Sequence, residues 1–271
     1  MNRPLHSNRA RLLPESLLEW LSATASHAVP HASAPTVDVQ AWLLALPDDG
    51  SLEPPPGVVD RILGHRDLCE DAVVRHVVED SRTPGTLRTG YRAVHLIGIL
   101  GEWRSERAIQ PLVDRLRAQR LFGAEETVLA LIRAGASAAA PLSRLLSDSS
   151  ASPIARANAL RVLCGLLQST RGPDVPTSFQ RLNESWRRRL LSETLLLVSD
   201  PTTADELRHE SILRLCDLRA THAWPAIERA FRLKQVPDRY GLCVDSARDI
   251  IEGRMLLLDL PTWHTPMRIV E

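Results

Sequence analysis

Apolar residues between Tyr91 and Leu116 fall twice into a helical beat. Ala93, Val94, Leu96, Ile97 and Leu100 recur at three- and four-residue spacing and end at Gly101. The turn Glu102-Trp103-Arg104-Ser105 follows. Ile109, Leu112, Val113 and Leu116 then resume the beat, with Pro111 near the start of the second run. This spacing predicts two short helices folded back on each other. An isolated pair of that size cannot bury both apolar faces, so it needs neighbours.

The chain supplies imperfect copies. TVLALIRAG and ASAAAPLSRLL, within Glu125–Leu146, form a second pair, in which Pro141-Leu142 stands thirty positions after Pro111-Leu112. A third copy opens at Ser152-Pro153, an N-capping residue before a first-turn proline, and runs through ARANALRVLCGLL. Its second helix, Phe179–Val198, is long and follows the loop Ser169–Thr177. A fourth opens at Thr203, with Glu206 placed for a capping box, and contains ELRHESILRLCDL and WPAIERAFRL. First helices share a rule of small residues at both ends of one turn. It reads Ala93-Val94 with Ile97-Gly98, Ala159-Leu160 with Leu163-Cys164, and Ser211-Ile212 with Leu215-Cys216. Small residues there let adjacent helices approach closely, which gives Cys164 and Cys216 a structural role.

The flanks are less regular. Residues 1–13 form a basic, polar tail, and Pro14 opens an amphipathic helix with Leu17, Leu18, Trp20 and Leu21. His27–Pro35 reads as a linker and Val37–Leu46 as a short helix with Trp42 on its apolar side. Pro47-Asp48-Asp49-Gly50 and Pro54-Pro55-Pro56-Gly57 mark a break. Val58–Gly64 and Leu68–Val78 form a further helix pair, and Gly241–Met255 a last helix. The expected division is residues 1–57 as N-terminal helices and Pro-rich linker, 58–257 as the repeats, and 258–271 as a tail.

Leu100-Gly101-Glu102 followed by Ala108-Ile109-Gln110-Pro111-Leu112 resembles the HEAT repeat family, in particular the HEAT-like repeats shared with phycobilisome lyases. Ala134-Gly135 with Ala139-Ala140-Pro141-Leu142 follows the same pattern, and Ala223-Trp224-Pro225-Ala226-Ile227 matches its second-helix start. The resemblance covers residues 90–234. It implies an all-α, right-handed α-solenoid of about four to six helix pairs, and it is specific for fold rather than function.

Composition narrows the functions. Low aromatic content and abundant Ala, Leu and Arg favour helix. Formal net charge is zero, so no global field draws the chain to nucleic acid or membrane. Lys234 is the only lysine; arginine supplies the other cations. Cys69, Cys164, Cys216 and Cys243 are widely spaced, form no CxxC pair and each sit in a helical pattern, which fits reduced, buried thiols in a cytoplasmic protein. No signal peptide is read, and no apolar run approaches the roughly 18 residues of a membrane span.

Candidate chemistry is sparse. Among HEAT-like proteins the deoxyhypusine hydroxylases hold a di-iron centre on several His-Glu pairs; here His209-Glu210 is the one such dipeptide, with Arg92 and Ala157-Asn158 at the corresponding places. HEAT-like DNA glycosylases hold DNA in a cationic groove; the best local run is Arg187-Arg188-Arg189, which fans around a helix as a solvated face would. No GxSxG, Walker loop or paired nucleophile is present. No catalytic residue, metal or cofactor is therefore expected.

What remains is surface recognition. Aligning second helices on Pro111, Pro141 and Pro225 puts Leu112, Leu142 and Ala226 in a buried row, with Leu116, Leu146 and Ala230 one turn on. The outward row then holds Gln110, Asp114, Arg117, Arg144, Trp224, Glu228 and Arg232. Exposed Trp beside Arg is typical of binding hot spots, although packing of Trp224 on a neighbouring repeat would serve equally. The reading is a non-enzymatic scaffold or adaptor of a bacterial cytoplasm that binds a partner protein on the concave face. The alternative is a HEAT-like nucleic-acid binder or DNA glycosylase-like repair enzyme. No membrane partner is expected.

Overall fold

The computed structural model describes residues 38–47, 54–82, 91–119, 123–169, 177–237 and 241–256. Among them every regular element is helical, so the fold class is all-α. The helix expected from Pro14, the linker at 27–35 and the C-terminal tail lie outside the described residues.

The α-helices are α1 (Val39–Leu44), α2 (Val58–Gly64), α3 (Arg66–Arg82), α4 (Tyr91–Glu102), α5 (Ile109–Arg117), α6 (Ala124–Ala134), α7 (Ala139–Ser147), α8 (Pro153–Ser169), α9 (Thr177–Ser199), α10 (Asp205–Asp217), α11 (Trp224–Arg232) and α12 (Val244–Ile251). Local chemistry sets several starts. The Asp38 carboxylate accepts from the Ala41 N–H at 3.0 Å, and Ser152 Oγ accepts from the Ala155 N–H at 3.1 Å. The capping box expected at Thr203 does not form: α10 begins after Ala204, which offers no side-chain acceptor.

Two rows of helices emerge from the packing. In one, α2 packs on α4, α4 on α6, α6 on α8, α8 on α10, and α10 on α12. In the other, α3 packs on α5, α5 on α7, and α9 on α11. Each helix of the second row also packs on the next helix of the first: α3 on α4, α5 on α6, α7 on α8, α9 on α10, α11 on α12. The second row is interrupted, because α7 and α9 share no comparable contact. One continuous apolar core runs between the rows from Leu43 to Ile251.

Two copies share a detailed geometry. α4 and α10 each end on a left-handed residue, Arg104 (φ 49°) and Arg219 (φ 52°). The next N–H, of Ser105 or Ala220, bonds back to the carbonyl of Leu100 or Leu215 at 3.1 and 2.9 Å, a Schellman closure. A short 3-10 turn follows, Glu106–Ala108 or Thr221–Ala223, and then a nine-residue helix, α5 or α11. These helices end on left-handed Gln119 and Lys234. α6 and α7 are likewise joined by a 3-10 turn, Gly135–Ala138, but Gly135 has an extended ψ of −154° and α7 closes on extended Asp148.

Close approach falls elsewhere than the small-residue rule placed it. A Cβ at Gly98 would meet nothing within 4 Å, whereas one at Gly101 would lie 3.1 Å from the Ala130 backbone and one at Gly165 would lie 2.4 Å from Ile132 Cδ1. At Gly101 and Gly165 neighbouring first-row helices therefore approach too closely for a larger residue to fit without a shift. Ala93, Ala159, Ser211, Cys164 and Cys216 are all buried, as the rule expects.

The stretch Ala124–Ser147 is apolar and long enough, by composition, to resemble a membrane span. It is two helices broken at Gly135, whose φ is 82°, and both pack into the rows.

Candidate functional site

The outward side of the second-row helices is set by burial. In α5 the buried residues are Ile109, Leu112, Val113, Arg115 and Leu116, which leaves Gln110, Asp114 and Arg117 exposed. In α7, Leu142, Leu145 and Leu146 are buried, and Ala140, Arg144 and Ser147 are exposed. In α11, Ile227 and Ala230 are buried, and Pro225, Arg229 and Arg232 are exposed.

This corrects the alignment in the last copy by one residue. α5 and α11 begin 115 positions apart, and their left-handed closing residues Gln119 and Lys234 are 115 apart as well. Pro111 and Pro225 are only 114 apart. Trp224 therefore stands at the place of buried Ile109, and Glu228 at the place of buried Val113. Both are half-buried. Ala226, expected in the buried row, is also half-buried, and Ile227 takes that role at 0 % exposure. Arg229 occupies the place of Asp114 and Arg144, a position the proline alignment leaves out of the outward row.

Trp224 and Glu228 are engaged by the neighbouring helix. Arg248 of α12 lies over the Trp224 ring at 4.7 Å and reaches Glu228 at 3.6 Å, while Arg232 reaches Glu228 at 3.5 Å. Gln110 donates to Asp114 at 2.8 Å within α5, and Arg117 donates to Asp148 at 2.6 Å beyond α7. Ser150, through its hydroxyl and backbone N–H, and Arg117 together hold the Asp148 carboxyl down from the usual 3.8 to about 2.

Ion pairs tie successive copies throughout. Arg107 pairs with Asp71, Arg115 with Asp80, Arg133 with Glu102, and Arg161 with Glu125. Partners lie 31 to 36 positions apart in sequence, about one repeat, as do Arg117 and Asp148. This accounts for many of the arginines: a planar, multi-donor head on a long stem reaches across a helix-to-helix gap. Four more arginines act on carbonyls. Arg92 donates to Leu46 O, Arg156 to Leu146 O, and Arg187 to Leu218 O. Arg208, 3 % exposed, donates to Asp200 O, Pro201 O and Gln235 O, joining the ends of α9 and α11.

The remaining candidates have local partners. His209 is half-buried, and burial lowers its imidazole pKa. Glu210 sits 2.8 Å from Arg214, which also faces Asp217. Among the described residues no three His, Cys, Asp or Glu side chains converge as metal ligands would. In the arginine run Arg188 faces Glu184 at 3.8 Å and Arg189 bonds to Glu193 at 2.8 Å. Trp103 is buried and donates its Nε1–H to Leu63 O at 3.2 Å, which makes it a brace between copies. Burial pushes the Cys164 and Cys216 thiols up to about 12. A cleft is lined by Arg66, Asp67, Glu70, Glu106 and Arg107; Arg66 pairs with Glu70 within it, and Arg107 pairs with Asp71 outside its lining.

No family model, curated protein or solved structure matches this chain.

Proposed function

We propose that this chain is a HEAT-like helical-repeat scaffold or adaptor whose second-row helices present a partner-binding face. The observation that supports the reading is a constant frame with a variable outward column. Buried positions recur as Leu112, Leu142 and Ile227, while the exposed position four residues into the outward row reads Asp114, Arg144 and Arg229. A repeat frame that keeps its core and varies its outward side chains suits recognition of an extended protein surface. Affinity would come from shape and dispersed polar contacts on a pre-formed surface rather than from one deep pocket. The right-handed solenoid arrangement and the cytoplasmic setting belong to the same proposal. The latter draws on four free cysteines, three of them buried.

Photo-crosslinking in the native host tests this. A photoreactive residue replaces Asp114, Arg144 or Arg229, and, as a control, exposed Asp245 on α12. The proposal expects one common protein crosslinked from the first three positions and not from the fourth. Equal crosslinking from all four, or none from the outward column, contradicts it.

A further inference from the structure

We propose that the outward side of α9 and α11, which pack on each other, receives an acidic, leucine-bearing segment of the partner protein. This rests on the partner-binding reading and adds the partner's chemistry. The chain is neutral as a whole, yet its charge is unevenly spread along the second row. α3 is rich in carboxylates, with Asp67, Glu70, Asp71, Glu79 and Asp80. α7 carries Arg144 and no carboxylate at all. In α9 and α11 arginines outnumber glutamates.

The cations of this half differ in how far they are neutralised. Arg229 on α11 is exposed and has no ion-pair partner among the described residues. Arg188 and Arg232 keep most of their side chains in solvent, 75 % and 73 %, and meet glutamates only at 3.8 and 3.5 Å. Exposed ion pairs at such distances contribute little and are readily exchanged for a new counter-charge. The same two helices carry two apolar side chains that the core does not use: Leu196 on α9, 67 % exposed, and Leu233 at the end of α11, 54 % exposed. Leu196 lies four residues before Asp200 and Leu233 two before Gln235, and Arg208 binds the carbonyls of both Asp200 and Gln235. The two leucines therefore sit at the same end of adjacent helices.

Cations with apolar contacts between them complement a peptide that alternates carboxylates with aliphatic residues. Nucleic acid fits less well. Its phosphates favour a continuous basic track, whereas Glu184, Glu193 and Glu228 interleave these arginines, and the leucines offer a phosphate backbone nothing.

The test is fluorescence anisotropy on the full chain with three labelled probes: an alternating Glu-Leu peptide, an alternating Lys-Leu peptide and single-stranded DNA. Wild type is compared with Arg229→Glu/Arg232→Glu and with Leu196→Ser/Leu233→Ser. Circular dichroism checks the fold of both, and the second pair keeps the test decisive should the first unfold. The expected result is selective binding of the Glu-Leu peptide, weakened about tenfold or more by the charge reversal and relieved by salt. The leucine variant should bind more weakly with its salt dependence kept. Equal binding of wild type and both variants, comparable binding of the Lys-Leu peptide, or tighter binding of DNA overturns the proposal. If the Glu-Leu peptide fails while crosslinks from Asp114, Arg144 and Arg229 still reach one protein, the acidic assignment falls and the partner-binding reading stands.

Discussion

Arg248 lies over the ring of Trp224 at 4.7 Å and also reaches Glu228 at 3.6 Å. One guanidinium thus covers the two residues that an alignment on proline would place in the outward row. These contacts join α11 to α12. Replacing Arg248 with Ala should lower stability by ~0.5–1 kcal/mol and alter tryptophan fluorescence, while leaving partner capture intact. Urea unfolding and capture yield measure the two effects. Lost capture at unchanged stability would return Trp224 and Glu228 to the binding face.

Arg208 is expected to matter far more for stability. Its guanidinium serves Asp200 O, Pro201 O and Gln235 O from a site that is 3 % exposed. Arg208→Met keeps much of the volume and leaves those carbonyls without their donor. A loss of ~3 kcal/mol or more in chemical denaturation is expected. A loss below ~1 kcal/mol would mean that water replaces the guanidinium freely.

The thiols should separate cleanly. Cys69, Cys164 and Cys216 are buried, and burial raises each thiol. Cys243 is exposed, caps α12, and is lowered by hydrogen bonds from the Ser246 hydroxyl and N–H. Native protein should therefore react with a thiol reagent at Cys243 first, and Cys243→Ser should abolish the fast phase. A fast phase that survives this substitution would place an accessible thiol elsewhere.

Asp148 gives a pH signature. Its folded value is depressed to about 2 from 3.8, first by Ser150 and then by Arg117. A depressed carboxyl contributes stability that is fully present above its unfolded value and is lost as pH falls through its folded value. The loss should thus run from about pH 4 down to about pH 2, and Asp148→Asn should flatten that part of the profile. Thermal melts of both proteins across this range measure it.

Much of the helical pattern was legible in sequence, because apolar periodicity reports buried faces directly. Val58–Gly64 appears with the expected bounds, and α5, α8, α10 and α11 lie within a few residues of theirs. The outward face was legible in α5 and α7 and slipped in α11. Proline caused the slip. The first turn of a helix has no intrahelical use for its N–H groups, so proline fits at several positions there. Pro111 and Pro141 are third in their helices and Pro225 is second, so proline marks the turn without fixing the register. Arg229 was hidden by that slip. The cross-copy pairs were hidden for another reason: a single carboxylate one repeat from a single arginine has no local pattern, and only packing brings Arg161 to Glu125 or Arg133 to Glu102.

The most direct test of the account compares two sets of substitutions that differ by one helical position. Asp114→Arg, Arg144→Glu and Arg229→Glu together reverse the outward column; Trp224→Ala with Glu228→Gln alters the adjacent, covered row. Both proteins, beside wild type, are used to capture partners from the native host. The account predicts that the first loses the wild-type partner at an unchanged unfolding midpoint, whereas the second keeps the partner at a lowered midpoint. Retention of the partner by the charge-reversed column, with loss from the Trp224 variant, would contradict it.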